Sequence, residues 1–204
     1  MAFNEALYYD KIRASNLFGP KFETSEFKGV QEITNACKAA NWSIAFTAYA
    51  LATAYHETAA TMQPIKEYGG RSYFMENYDV TGKNPDRARK HGNSAVGDGA
   101  RYFGRGYVQL TWKVNYAKAE KELGHKLVSN PDLALDPKIA AAIMVRGTQE
   151  GWFTGKKLAH YFDCPLATRA QFADARKIIN GTDKAELIAG YALKFQDALA
   201  TAGW

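Results

Sequence analysis

The sequence predicts a mainly α-helical fold that is interrupted by one long irregular loop region. Seven segments carry apolar residues at helical spacing, and no strand-rich segment competes with them. The 204 residues suit a single domain, which can have two lobes. Since no internal repeat or low-complexity segment marks a boundary, we treat residues 1–204 as one domain.

Three helices are predicted in the first third of the chain. The first covers residues 3–15, the second begins at Thr24 or Ser25, and the third runs from Ile44 to about Met62. Ser43 is the expected N-cap of the third helix, and Pro64 is its expected stop. Because this helix is apolar on all sides, we expect it to be central and buried.

Residues 69–101 lose the helical period and contain six glycines and one proline. This segment is the predicted irregular loop region, and a loop of this length in a compact domain is usually functional. The basic cluster at residues 87–91 is short and follows Pro85, so we expect a solvated loop there.

Four more helices are predicted after the loop region. They begin near residues 111, 136, 168 and 183. Thr111 is the expected N-cap of the first, which ends at Gly124. Pro137 suits the first position of the second, and Thr168 with Gln171 forms a capping box for the third.

Charge and composition restrict the class of partner. The formal net charge is +5, from 26 Lys and Arg against 21 Asp and Glu, which favours an anionic partner. The sequence has no basic stripe with interleaved aromatic residues, so we expect that the protein does not bind nucleic acid. Aromatic residues make up 13% of the chain, and their rings suit either an apolar core or a groove that stacks on sugars.

The cysteines and the N-terminal sequence indicate a cytoplasmic place of synthesis. Cys37 and Cys164 form no CxxC pair, and we expect both to be buried free thiols. The first five residues have neither the basic nor the apolar region of a secretory signal. The longest apolar stretch, at residues 44–55, is too short to span a membrane. We expect a monomer that is made in the cytoplasm without a signal peptide and that would need another export route to act outside the cell.

The pair His56-Glu57 is the strongest local signal for chemistry. A zinc protease would need a second His three residues after the Glu, and that position is Ala60. The other histidines have no ligand spacing, so we expect no metal and no cofactor. What remains is a carboxyl group on an apolar helix, where burial would keep it protonated as a general acid requires. The alternative is a structural Glu that is paired to an Arg.

A second carboxylate, Glu67, follows ten residues later and beyond the expected stop at Pro64. The turn would let Glu67 face Glu57 across a cleft, and paired carboxylates are the minimal apparatus for glycoside hydrolysis. Lys66 and the open loop would keep Glu67 ionised. Glu76 is a competing candidate for the second carboxylate.

Residues 102–116 contain a Gly-x-Gly pattern that lacks the third glycine and the context of a dinucleotide-binding site. Its glycines allow a ligand to approach the backbone closely. Gln109, Thr111 and Asn115 could then bind sugar hydroxyls, N-acetyl groups and a water molecule. Capping of a helix by Thr111 is the structural alternative, and the two roles are compatible.

Three blocks of the sequence resemble the signature of family 19 glycoside hydrolases, which are chitinases and related phage endolysins. The blocks are Ala54-Tyr55-His56-Glu57-Thr58, residues 102–111 with Asn115-Tyr116, and Ile178-Ile179-Asn180-Gly181. The resemblance extends from about residue 44 to about residue 181. It implies a lysozyme-like, two-lobed helical fold with a substrate cleft.

The resemblance also implies inverting cleavage of a β-1,4 bond in an N-acetylhexosamine polymer. It assigns Glu57 as the general acid, Glu67 as the general base and Thr111 as a residue that holds the attacking water. The positions that it implies for substrate binding are His56, Tyr102, Arg105, Gln109, Asn115 and Asn180.

Two departures from the family pattern bear on the function. The Gly-Gly that commonly follows His-Glu-Thr is Ala59-Ala60 here, which weakens the assignment of the base more than that of the acid. The plant enzymes have a longer segment between their glutamates and several disulfides, so this chain is closer to the compact bacterial and phage branch. The absence of a signal-peptide pattern, the small single domain and the basic charge fit release of the protein onto an anionic cell wall. We therefore expect first a peptidoglycan-cleaving endolysin that acts on the cell wall after release, second a chitinase and third a non-catalytic carbohydrate-binding protein.

Overall fold

A computed structural model of the chain describes residues 3–204. The described chain is mainly helical, which confirms the predicted fold class. It divides into two compact units: the first combines the chain up to Gln63 with Met144–Trp204, and the second is Pro64–Ile143. The interpretation of the first five residues as lacking a secretory signal includes Met1 and Ala2, which lie outside the described residues.

Ten α-helices and two short strands are formed within residues 3–204. The helices are α1 Glu5–Ala14, α2 Thr24–Ala39, α3 Ile44–Glu57, α4 Arg71–Tyr78, α5 Pro85–Lys90, α6 Asp98–Arg101, α7 Lys113–Leu123, α8 Pro137–Glu150, α9 Arg169–Ala175 and α10 Ala185–Thr201. The strands are β1 Ile65–Lys66 and β2 Arg105–Gly106, and short 3-10 turns cover Pro131–Leu135, Leu158–His160 and Arg176–Ile178. The boundary between the two units falls inside α8.

Helix α3 is the centre of the first unit, as the sequence predicts. Its small side chains, mainly Ala and Thr, are buried on all sides. They let α10 pack closely along α3, and α10 also contacts α1 and α9. The side chain of Ser43 accepts a hydrogen bond from the Phe46 N–H, so the predicted N-cap is confirmed.

Helix α3 ends at Glu57, five residues earlier than predicted, and Pro64 is not its stop. The Thr58 hydroxyl donates to the Ala54 carbonyl and accepts from the Met62 N–H, which replaces helical hydrogen bonds at this end. Ala59 and Ala60 then take the left-handed conformation, with φ of 50° and 67°. This is the conformation in which glycine carries no steric cost, and the family pattern commonly has glycines here.

Other boundaries of the first unit also differ from the sequence predictions. Helix α2 is capped by Glu23 rather than by Thr24 or Ser25, and the Glu23 N–H donates to the Glu26 carboxylate. Helix α10 begins at Ala185 because Lys184 takes a left-handed conformation. The prediction of two buried thiols is half correct, since Cys37 is buried and Cys164 is exposed.

The predicted irregular loop at residues 69–101 contains three short helices, α4, α5 and α6. Helices of four to eight residues do not show a clear apolar period, so the sequence pattern missed them. The basic cluster at residues 87–91 lies mostly on α5, whose N-cap is the side chain of Asn84, so the prediction of a loop there is wrong.

Two buried carboxylates hold this segment of the second unit together. The Asp79 carboxylate accepts hydrogen bonds from the N–H groups of Gly97 and Gly99. Although burial opposes its ionisation, these bonds hold the pKa of Asp79 below its ordinary value. Asp98 accepts from the Ser94 N–H and from the Lys113 ammonium group. These polar contacts hold the segment in its conformation, and it does not depend on a regular apolar helix face.

No helix within residues 3–204 is long and apolar enough to cross a membrane.

At Gly29, helix α2 lies very close to the backbone of Met62. A Cβ atom at this position of α2 would lie 1.8 Å from the carbonyl oxygen of Met62. We expect Gly29→Ala to lower the free energy of unfolding by about 1–3 kcal/mol, because the two segments must move apart. Thermal and denaturant unfolding measure the change.

Gly190 on α10 is the matched control, since an added Cβ would meet only Arg169 at 3.8 Å. Gly190→Ala should raise the free energy of unfolding by up to about 1 kcal/mol through helix propensity alone. If both glycine variants were equally stable, α2 would not approach Met62 as closely as described.

Candidate active site

The first unit places one carboxylate, Glu57, at the last position of α3. Its Oε1 atom lies 2.7 Å from Nη1 of Arg176, whose side chain is 1% exposed. The Glu57 side chain is 18% exposed and therefore reaches the surface. The two atoms are at ion-pair distance, but they are not aligned as a hydrogen bond, so the contact is chiefly an attraction between charges.

Arg176 comes from the short 3-10 turn that follows α9. Its Nε atom donates to the carbonyl oxygen of Asp183 at 3.0 Å, which fixes the plane of the guanidinium group. A buried cation needs a counter-charge, because an unpaired one is strongly destabilising. Glu57 is therefore not the unpaired carboxyl group in an apolar environment that the sequence predicted. The ion pair with an Arg that the structural alternative predicted is present, and its 2.7 Å contact is made through Oε1 of Glu57.

Two further predicted site residues lie beside this ion pair. His56 precedes Glu57 and is partly buried, and burial lowers its pKa below the ordinary value despite the neighbouring carboxylate. Its imidazole is therefore neutral near pH 7 and can donate one hydrogen bond and accept another. Asn180 is exposed, and its backbone N–H donates to the Arg176 carbonyl.

The second unit places the other carboxylate, Glu67, directly after β1. The small sheet pairs Ile65 with Gly106 and Lys66 with Arg105, which brings the next residue beside Gly104. Glu67 Oε2 accepts from the Gly104 N–H at 3.0 Å, and Oε1 accepts from the Tyr78 hydroxyl at 2.7 Å. Both carboxylate oxygens are therefore held by neutral donors.

Tyr78 keeps its proton while it makes this contact. Burial, together with the hydrogen bond to Glu67, raises the pKa of the phenol far above its ordinary value. The hydroxyl therefore donates to Glu67 at any pH at which the protein is studied.

Three predicted site residues converge beside Gly104. A Cβ atom added to Gly104 would lie 2.8 Å from Gln109 Oε1, 3.1 Å from Glu67 Oε2 and 3.2 Å from Thr111 Oγ1. The three oxygens thus surround one point next to the backbone, and only glycine leaves that point open. We call Glu67, Gln109, Thr111 and Gly104 the Gly104 cradle.

Hydrogen bonds within the second unit orient the cradle. Gln109 Nε2 donates to the carbonyl oxygens of Ile65 and Gly106, so its Oε1 must point the other way. The Thr111 hydroxyl donates to the Gln109 carbonyl, and Asn115 Nδ2 donates to the Thr111 carbonyl. Thr111 does not cap α7 as predicted, because its hydroxyl is used inside the cradle and Trp112 stands at the N-cap position.

Lys66 is not the charge partner of Glu67. Its ammonium group lies 2.9 Å from Asp132, which also pairs with Arg105 at 2.8 Å. The hydrogen bond from Lys66, with that from Arg105, lowers the pKa of Asp132. The expectation that Lys66 keeps Glu67 ionised is therefore wrong, since the side chain of Lys66 is bound elsewhere.

Two residues predicted to bind substrate are buried inside the second unit. Arg105 is 5% exposed, donates to Asp132 and Tyr116 and lies over the ring of Phe103. Tyr102 is 2% exposed and donates to the Val128 carbonyl. Their burial argues against direct contact with a sugar, and both residues instead support β2 and the cradle.

Glu76, the competing carboxylate, has a different environment. It lies on α4 with a side chain that is 53% exposed, and it pairs with Lys83 at 2.9 Å. A surface pair of this kind holds a carboxylate only weakly. Glu67 is fixed by two hydrogen bonds and has Thr111 and Gln109 beside it, so the geometry favours Glu67 as the second functional carboxylate.

The sequence analysis missed the roles of Arg176 and Tyr78. Tyr78 lies on α4, inside the segment that was predicted to be irregular. Arg176 follows a recognised helix, but nothing local links it to Glu57. Among residues 3–204, no three His, Cys, Asp or Glu side chains are grouped so that they could hold a metal ion.

Comparison with known proteins identifies the family. The family model for class I chitinases, glycoside hydrolase family 19, matches residues 23–156. Endochitinase 1 of Theobroma cacao is 47% identical over 49 residues, which are 24% of this chain and 15% of that protein. Inactive chitinase-like protein 1 of Hevea brasiliensis is 42% identical over 41 residues, which are 20% and 13% of the two chains. The segments matched in these relatives are thus a small part of their length.

A solved structure, chitinase C from Streptomyces griseus HUT6037, has a TM-score of 0.61 to this chain at 21% identity. The similarity covers 97% of this chain and 76% of that one, and it confirms the helical fold that the resemblance implied. Because the family model spans about two thirds of the sequence and includes both carboxylates and the cradle, this chain belongs to the class I chitinase family, glycoside hydrolase family 19.

Proposed function

We propose that this chain is an endo-acting chitinase that hydrolyses β-1,4 bonds between N-acetylglucosamine units with inversion. The observation that carries the proposal is the Gly104 cradle, in which Glu67 is fixed beside Thr111 and Gln109. Glu57 supplies the second carboxylate and lies in a different environment, next to a cation. An inverting glycosidase needs two carboxyl groups in different roles.

Glu57 acts as the general acid. Its Oε1 atom faces Arg176, so the proton for the leaving oxygen is carried on Oε2. As the glycosidic C–O bond breaks, this proton passes to the departing sugar and leaves a carboxylate behind. Arg176 stabilises that carboxylate through the ion pair, which is an interaction stronger after proton transfer than before it.

Glu67 acts as the general base. The cradle presents oxygen acceptors from Glu67, Thr111 and Gln109 around one point, and the Thr111 hydrogen is already donated to the Gln109 carbonyl. A water molecule held among these oxygens, outside van der Waals contact with the Gly104 Cα atom, would donate both of its hydrogens and keep a lone pair free. That lone pair attacks the anomeric carbon while Glu67 accepts a proton from the water.

The comparisons support chitin more than peptidoglycan as the substrate. The relatives whose names state an activity are endochitinases, and the similar structure is that of a chitinase. The sequence-based preference for a peptidoglycan endolysin rests partly on the charge of +5, which suits an anionic wall polymer but does not identify one. The inactive relative from Hevea keeps the non-catalytic alternative open to test.

Parallel incubation with chitin oligomers and with purified peptidoglycan tests the proposal, with products identified by mass. We expect internal cleavage of chitin oligomers between N-acetylglucosamine units. Cleavage of peptidoglycan alone would instead support the endolysin function. Binding of both polymers without any product would support the non-catalytic alternative.

Glu57→Gln is the matched control for this assay. The amide keeps the shape of the side chain but cannot deliver a proton, so we expect a loss of at least ~10²-fold in turnover. Gln also removes the counter-charge of Arg176, so a melting curve must accompany the assay to separate lost chemistry from lost stability. Wild-type turnover by a folded Glu57→Gln variant would rule out Glu57 as the acid.

A second pair of variants separates Glu67 from Glu76. We expect Glu67→Gln to lose at least ~10²-fold in kcat, because the base is removed from the cradle. Glu76→Gln should change kcat by less than about threefold, since it breaks only an exposed ion pair with Lys83. Turnover numbers on the same chitin oligomer decide between them. If Glu76→Gln were inactive while Glu67→Gln still turned over, the base would be Glu76.

A further inference from the structure

A groove lies in the first unit at the beginning of α3, at the end opposite Glu57. It consists of two adjoining cavities of about 420 and 400 Å³. Both cavities are lined by Asn41, Trp42, Ser43 and Pro165, so they are immediate neighbours. Each volume lies in the range of about 300–1,000 Å³ that is typical of ligand sites.

Aromatic rings in fixed orientations line this groove. Trp204 Nε1 donates to the Trp42 carbonyl at 2.9 Å, and the edge of the Phe3 ring packs against Trp204 with centroids 5.3 Å apart. Trp42 Nε1 donates to the Gln149 side chain at 3.4 Å. Because these contacts are made within the protein, the rings are held in place before any ligand binds. Flat, preoriented rings suit the apolar face of a sugar.

Polar groups of both signs surround the rings. Lys38 and Asn41 line the first cavity, and Gln149 and Asp163 line the second. All four residues are exposed. The lining thus carries one cation and one anion, which suits a neutral polymer with hydroxyl and amide groups better than a polyanion.

The groove is separate from the catalytic carboxylate. Helix α3 has 14 residues from Ile44, which lines the groove, to Glu57. At a rise of 1.5 Å per residue, the two ends are about 20 Å apart. A ligand unit in the groove therefore cannot also be the unit that Glu57 protonates.

We propose that this groove is a second binding site for a chain of β-1,4-linked N-acetylglucosamine, distinct from the site of hydrolysis. It holds the insoluble polymer on the enzyme, with the partly exposed ring of Trp204 stacked against a sugar face and the polar rim bound to N-acetyl and hydroxyl groups; Trp42 is buried and supports Trp204 from beneath through its carbonyl oxygen. The inference rests on the proposed chitinase function.

Adsorption to insoluble chitin, measured by depletion of protein from solution, tests the groove. We expect Trp204→Ala to bind at least about fivefold more weakly, because one stacking ring is lost. Lys38→Ala, which removes an exposed rim cation that lies over the Phe3 ring, should also weaken adsorption. Its matched control is Lys28→Ala, an exposed lysine on the same helix outside the groove, which should leave adsorption unchanged.

A chemical block keeps the test independent of folding. Cys164 lines the second cavity and is exposed, whereas Cys37 is buried, so a thiol reagent should modify Cys164 alone. A bulky maleimide at Cys164 should reduce adsorption, and a small methylthio group should not. If neither the groove variants nor the maleimide changed adsorption, the proposal would be overturned.

Turnover of short chitin oligomers, measured on the same variants, separates this inference from the proposed function. We expect that turnover to be unchanged in Trp204→Ala and Lys38→Ala. If wild type does not cleave the oligomers, the proposed function fails, whereas intact turnover with unaltered adsorption rejects only the groove. Sedimentation of wild type and Trp204→Ala tests whether a second copy of the chain occupies the groove instead. A wild-type dimer that Trp204→Ala abolishes would assign the groove to that second copy and overturn the proposal.

Discussion

The buried guanidinium group of Arg176 is the constraint on which the first unit depends. An unpaired cation in that position would cost several kcal/mol, so the fold must supply a carboxylate to meet it. Glu57, at the end of α3, is that carboxylate, and the Asp183 carbonyl holds the guanidinium from the other side. The position of the proposed acid is therefore set by the stability of the unit as well as by catalysis.

The second unit fixes its carboxylate by a different kind of interaction. Glu67 is bound by a backbone N–H and a phenol that stays protonated, and no cation within residues 3–204 forms an ion pair with it. One carboxylate thus meets a full positive charge and the other meets only neutral dipoles. Two carboxyl groups in such unlike surroundings can take unlike roles, as general acid and general base catalysis require.

Local signals in the sequence were sufficient for most of the proposed chemistry. Glu57 stands out on an apolar helix, and Gln109 and Thr111 follow a Gly-x-Gly pattern that allows close backbone approach. The structure brings Glu67, Gln109 and Thr111 together beside Gly104, and the proximity of Glu67 to Thr111 agrees with the roles that the family resemblance implied.

Features that depend on distant contacts could not be predicted in this way. Arg176 and Tyr78 act through the fold, and neither has a motif that links it to its carboxylate. The short helices of residues 69–101 are stabilised by the buried carboxylates of Asp79 and Asp98, rather than by an apolar face that a sequence pattern would reveal. The early end of α3 arises from a side-chain hydrogen bond of Thr58 and from left-handed alanines that propensity alone disfavours.

The central claim is that Glu57 and Glu67 act in a single displacement, with water attacking from the side opposite the leaving sugar. Proton NMR of the newly formed reducing end, recorded during cleavage of a chitin oligomer before mutarotation, tests this most directly. A single displacement at a β bond predicts that the α anomer is formed first. Initial formation of the β anomer would show retention through a covalent or equivalent intermediate, and would contradict the roles assigned to both carboxylates.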